Sequence, residues 1–156
     1  MIPLTIDSLY EYLINKSVDV KHQPETKQIY TLFKVQNEAF PLFIGLLNDE
    51  ELLQLFAPIP IALESQTISE VARVLHLFNK EIDVPGFGLD ERAKIVFYRT
   101  ILPASDKKVA GEILSNYIHT IPLVIETFFP IIAAVVAGKA RFIDVVKQGE
   151  AAKIRK

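Results

Sequence analysis

Three histidines, His22, His76 and His119, are the side chains in this chain best suited to bind a metal or carry a proton. A metal site needs several ligands that converge, often two histidines one helical turn apart. These three lie far apart in sequence and on different predicted elements, so structural or surface roles are expected. Asp49-Glu50-Glu51 and Asp90-Glu91 bring carboxylates together. General acid–base chemistry requires a pair held across a cleft in environments that separate their pKa values. Adjacent acids in predicted turns point into water instead. Ser8, Ser17, Ser65, Ser69, Ser105 and Ser115 lack the strand–turn–helix context of a nucleophile elbow, and several suit helix caps. Gly86-Phe87-Gly88 follows a predicted helix and enters a strand, the reverse of the order that cradles phosphate. With no cysteine, thiol nucleophiles, thiolate metal sites and disulfides are excluded. No cofactor, metal or catalytic residue is therefore assigned.

Composition narrows the class further. The chain has 156 residues, 50% hydrophobic and 23% charged, and a formal net charge of −2. Those values suit one folded domain with a sizeable core. They supply no basic stripe for nucleic acid. The first residues, Met1 to Asp7, lack the basic start and apolar run of a secretory signal, which predicts a cytoplasmic protein.

The elements are organised around Thr67 to Leu102. Thr67-Ile68-Ser69-Glu70 has the form of a capping box. After it Val71, Ala72, Leu75 and Phe78 recur at helical spacing. Pro85-Gly86 ends that helix, and Phe87 to Leu102 reads as a hairpin turning at Asp90-Glu91-Arg92. Ile95 to Tyr98 is apolar on both faces, which predicts a strand inside a sheet. Before this stretch, Leu4 to Lys16 reads as a helix capped by Thr5 or Asp7. Strands are expected at Val18 to His22, Gln28 to Val35, Ala39 to Leu47 and Leu52 to Leu63. Pro58 and Pro60 each remove a ladder donor, so the last of these is read as an edge strand, irregular near Ala57. Everything after Pro103 is helical in pattern, capped by Ser105 and kinked or divided by Pro122 and Pro130. The expected fold is α+β, an antiparallel meander plus hairpin with helices mainly on one face and a long broken C-terminal helix. One domain is expected, with a core of about residues 4–125, a helical extension over 126–149 and a frayed tail over 150–156.

Leu77-Phe78-Asn79-Lys80, Phe87-Gly88-Leu89-Asp90 and Val96-Phe97-Tyr98-Arg99, in that order of elements, resemble the YbjN-like family and the wider type III secretion chaperone-like fold group. The resemblance spans roughly Leu4 to Ile125. It implies a small, often dimeric, non-enzymatic binding or regulatory module with no catalytic residues.

The leading expectation is a protein-interaction module, chaperone-like or regulatory, that forms a homodimer and binds a partner protein such as a secreted effector. Its physical basis is apolar surface in excess of what one sheet-and-helix pair needs. The expected interface residues are Leu75 and Phe78 on the central helix, Leu52, Leu53 and Phe56 on the edge strand, and Phe128 and Phe129 in the tail. The Leu52 to Ala57 edge would accept a partner strand. Ile121 to Gly138 approaches the length of a membrane span, but Glu126 and two prolines favour burial over insertion. A peripheral membrane regulator and a small enzyme are the alternatives.

Overall fold

The computed structural model describes residues 1–154, with side-chain surroundings through residue 150. In chain order the elements are β1 (Ile2–Pro3), α1 (Ile6–Asn15), β2 (Val20–Gln23), β3 (Gln28–Val35), β4 (Glu38–Leu47) and β5 (Leu52–Ile59). They continue as α2 (Ile68–Glu81), β6 (Phe87–Asp90), β7 (Ile95–Pro103), β8 (Lys108–Val109), α3 (Gly111–Val136) and α4 (Phe142–Ile154). The expected α+β class holds. Six strands form one antiparallel sheet in the order β2-β3-β4-β5-β7-β6, and β1 pairs with β8 separately.

A strand alternates its side chains between faces, so the register sorts the sheet residues into two sets. Ile29, Val35, Phe40, Leu42, Ile44, Leu53, Leu55, Ala57, Val96 and Tyr98 are buried on one face. The helices complete that core. Leu9 and Leu13 enter from α1, and Val71, Val74, Leu75 and Phe78 from α2. From α3 comes a stripe, Leu114, Ile118, Ile121, Ile125, Phe129, Ile132 and Val136, at steps of three and four residues. Phe129 meets Phe40 edge-to-face at 5.2 Å between ring centres.

Several local expectations change on tertiary contact. The β5 strand is internal, bonded to β4 and β7 over Leu52 to Phe56. Pro58 is accommodated because the β4 ladder stops at the Phe43–Phe56 pair, and Pro60 falls just past the end of the strand. Two residues farther, the same register would set Pro41 opposite Pro58, and neither has an amide hydrogen to give. Beyond that point β5 keeps only β7 as neighbour. Pro122 and Pro130 do not divide α3, which runs unbroken for 26 residues. Neither proline lies on the buried stripe, so the helix surroundings absorb the lost amides away from the core. Residue 125 falls inside this helix, and the buried side chains continue past it to Val136. Helix α4 carries the backbone through Ile154, where a frayed tail was expected; Arg155 and Lys156 lie outside the described residues. Ser105 caps nothing. It opens a short 3₁₀ turn, after which Lys108 and Val109 pair with Pro3 and Ile2.

The capping box at Thr67 is also replaced. The Thr67 hydroxyl donates to the Val136 carbonyl at 3.0 Å, at the end of α3. The Glu70 carboxylate accepts from the Phe142 amide at 2.6 Å, at the start of α4. Arg73 sits 4.1 Å over the Phe142 ring. Gly138, with φ of 76°, makes the left-handed turn that lets the chain reverse between the two helices. The first turn of α2 thus clasps the α3–α4 junction instead of capping itself. Glu70→Ala should remove the anionic cap of α4 and cost about 1–2 kcal/mol. Hydrogen exchange should rise across the first turns of α4 while the sheet stays protected; unchanged exchange in α4 would contradict this role.

Candidate functional site

Among the described residues, no helix packs on the second face of the six-stranded sheet. Every residue pointing there keeps contact with solvent except Gly45, which lies beneath the Gln28 side chain. The registers assemble its rows. One runs Lys21, Tyr30, Phe43, Phe56, Arg99 across β2, β3, β4, β5 and β7. The next holds Leu32, Pro41, Pro58, Phe97 and Gly88. On the other side of the aromatic row come Gln23, Gln28, Gly45, Gln54 and Ile101.

Aromatic contacts stiffen this surface. Tyr30 and Phe43 have ring centres 5.7 Å apart, and Phe56 and Phe97 are 5.4 Å apart. Gly88 lies directly under Phe97, since a Cβ added there would meet the ring at 2.5 Å. Gly86 likewise lies in close approach, against the Arg99 carbonyl. Leu32 is 50% exposed, so the face offers apolar groups to solvent and not merely their edges. Its strand-borne charges are Lys21, Lys34, Arg99 and Asp90. Here the net sign is positive on a chain whose total is −2.

The expected interface residues are distributed otherwise. Leu53, Leu75, Phe78 and Phe129 are buried in the chain's own core. Phe128 is half-buried, its ring tilted against Phe78 at 4.3 Å between centres, so Phe128 and Phe129 do not make one exposed patch. Leu52 and Phe56 do point to the open face. Strand addition at Leu52 to Phe56 is closed off, because that backbone is paired on both sides. The free edges are β2 and β6, four residues each. Short edges of this kind resist further pairing. Sequence reasoning missed Tyr30, Phe43, Phe97 and Arg99. Their signal is present in strands that are apolar on both faces, a pattern that places a strand inside a sheet, as β7 is, without saying which face is covered.

Elsewhere the polar groups serve structure. His22 stacks on Tyr10 at 4.3 Å, His119 bonds the Ser115 carbonyl at 2.7 Å, and His76 is exposed on α2. Among the described residues no three histidine, aspartate or glutamate side chains gather as a metal site. Asp90 accepts from the Ala93 amide at 3.0 Å, closing its own turn. Asn79 ties the end of α2 to β6: its carbonyl oxygen accepts from the Gly86 and Phe87 amides at 3.1 and 3.0 Å, and its amide donates to the Phe87 carbonyl at 2.9 Å. Helix α3 is long and apolar enough to cross a membrane by length and composition, and one stripe of it is buried in this fold.

Tyr98, on the covered face, donates to the Val84 carbonyl at 2.5 Å. Burial, and secondarily the Tyr117 hydroxyl, pushes its pKa from 10.0 up to about 12. The unfolded chain releases this proton first as pH rises, so the folded state is favoured fully below pH 10 and loses that advantage between pH 10 and 12. The loss should approach roughly 2–3 kcal/mol across the window. Alkaline denaturation should show it, and Tyr98→Phe should flatten this part of the profile. A profile that is the same in both proteins would contradict the assignment.

Comparison with known proteins agrees with the element order. A family model described as "YbjN: Putative bacterial sensory transduction regulator" matches residues 5–134. A solved structure, "Crystal structure of YbjN, a putative transcription regulator from E. coli", superposes with a TM-score of 0.62. The two chains share 11% identity, over 83% of this chain and 95% of that one, so the likeness is one of fold. No curated protein matches. With most of its length under the family model, the chain belongs to the YbjN family, whose description reads "Putative bacterial sensory transduction regulator".

Proposed function

We propose that this protein is a non-enzymatic, regulator-type interaction module of the cytoplasm, and that the open sheet face is where it takes a partner protein. Support comes from one observation above the others: a four-strand apolar surface, with Tyr30, Phe43, Phe56 and Phe97 at its centre, that nothing among the described residues covers. Contiguous apolar area of this kind carries a standing cost in water, and burying it against another protein relieves that cost. Arg99 and Lys21 at the ends of the central row give a polar rim around an aromatic centre, the usual anatomy of a protein interface. Shape favours a folded surface over a single extended strand, because the face is broad and its edges are short. A regulatory protein or a secreted effector presenting an apolar patch fits this chemistry.

A photoreactive benzophenone side chain at position 97 tests the reading in cells. Adducts with protein should form on illumination, whereas the same group at exposed Ile14 on α1 should give none. Equal or absent adducts at the two positions would overturn the proposal.

A further inference from the structure

We infer that the cleft enclosed by α2, α3 and the far half of α4 is a binding site for an uncharged small molecule built on aromatic rings. The cleft lies among the helices, away from the open sheet face, and stands independently of the docking reading.

The way α4 is fastened leaves this space. Glu70 and Arg73 hold its first residue, Phe142, and Val145 is buried one turn on. Beyond that point Val146 is half-buried and residues 147–150 are exposed. Gly149 brings no side chain to close the gap, and a Cβ built there would have no neighbour within 4 Å. The far half of the helix therefore stands off from α2 over a cleft of about 420 Å³. Its walls are Leu77 and Phe78 of α2, Phe128 and Ile131 of α3, and Val145 and Val146 of α4. Helix α4 begins after residue 134, the last residue under the family model, so one wall lies outside what the family likeness describes.

Size, floor and charge choose the ligand. A dry cavity of about 150 Å³ with walls of this kind takes one benzene ring. At about 420 Å³, this cleft has room for roughly two or three rings. The floor is aromatic: Phe78 and Phe128 lie 4.3 Å apart, and Phe87 behind them meets both edge-to-face at 5.9 Å. Rings fixed in this way offer a further ring both stacked and edge-on contact. The rim carries Lys80, Glu81 and Glu150. Lys80 already faces Glu81 at 3.7 Å, which leaves the rim with the negative charge of Glu150. A carboxylate or phosphate entering here would meet that charge, and a cation would have to leave water for an apolar floor. Gln148 supplies an amide at the mouth, able to bond one hydroxyl or N–H group of the ligand.

N-phenyl-1-naphthylamine is an uncharged dye of this size, dim in water and bright in apolar surroundings. With the full chain its emission should rise and saturate at one dye per chain, and its sulfonated analogue should bind far more weakly. Methyl resonances locate the dye without any substitution: those of Leu77, Ile131 and Val145 should shift, and those of Leu32 and Ile101 on the open face should not. Val146→Trp, which fills the cleft, should abolish the saturable signal with circular dichroism unchanged. Shifts confined to Leu32 and Ile101 would place the dye on the sheet and overturn the inference, as would the absence of saturable binding. Tighter binding of the sulfonated dye would overturn the uncharged class of ligand.

Discussion

Phe40→Ala should lower the stability of the folded chain by about 3–5 kcal/mol, whereas Phe43→Ala, three residues on, should cost about 1 kcal/mol or less in the isolated monomer. The two rings occupy one strand and differ by the face they serve. Phe40 is fully buried, edge-to-face with Phe129 and 5.7 Å from Phe33. Removing it leaves a cavity between the sheet and α3 that neighbouring β-branched side chains cannot fill by rotation. Phe43 keeps contact with water already, so its removal loses little buried area in the monomer. Its loss should appear instead in association. Urea unfolding of both variants at low protein concentration measures the contrast. Similar midpoints for the two would mean that the open face is covered within the chain.

Asn79→Ala should cost about 2–3 kcal/mol, a large effect for one polar side chain. Deleting the amide strands the Gly86 and Phe87 amides and the Phe87 carbonyl, all partly buried where α2 hands the chain to β6. Asn79→Asp retains the acceptor for both amides and loses the donor, so it should recover a substantial part of the stability. Thermal unfolding of the three proteins tests the ranking. An alanine variant as stable as the parent would show that water replaces the side chain without penalty. The same bonds set the start of β6, and Phe87 packs on Phe78 at 5.9 Å, so the loss should reach the edge of the sheet first.

Much of this architecture was legible in the residues. The β-branched and aromatic content of Gln28 to Val35 points to β3, and the helical spacing of Val71, Leu75 and Phe78 points to α2, because burial on one face imposes that spacing. Thr5 capped α1 as expected, since its partner Ser8 is local. What escaped the sequence depended on distant contacts. Thr67 and Glu70 have the pattern of a local cap, yet Val136 and Phe142 compete for them from the far end of the chain. Pro58 looked like an edge marker because nothing in the sequence shows that Pro41 would lie opposite it. The site itself was half visible. Doubly apolar strands signalled surplus hydrophobic surface correctly, but periodicity cannot tell a face covered by helices from one left for a partner. Leu75, Phe78 and Phe129 were assigned to the surface for that reason, and Tyr30, Phe43 and Phe97 were not.

The central claim is that the aromatic sheet face is open in the lone chain and covered by protein in the cell. Hydroxyl-radical footprinting reads this at the side chains themselves. Oxidation of Tyr30, Phe43, Phe56 and Phe97 should be strong in dilute purified protein and sharply reduced in intact cells, with exposed Ile14 on α1 labelled alike in both. Equal labelling of the four aromatics in the two settings would contradict the account.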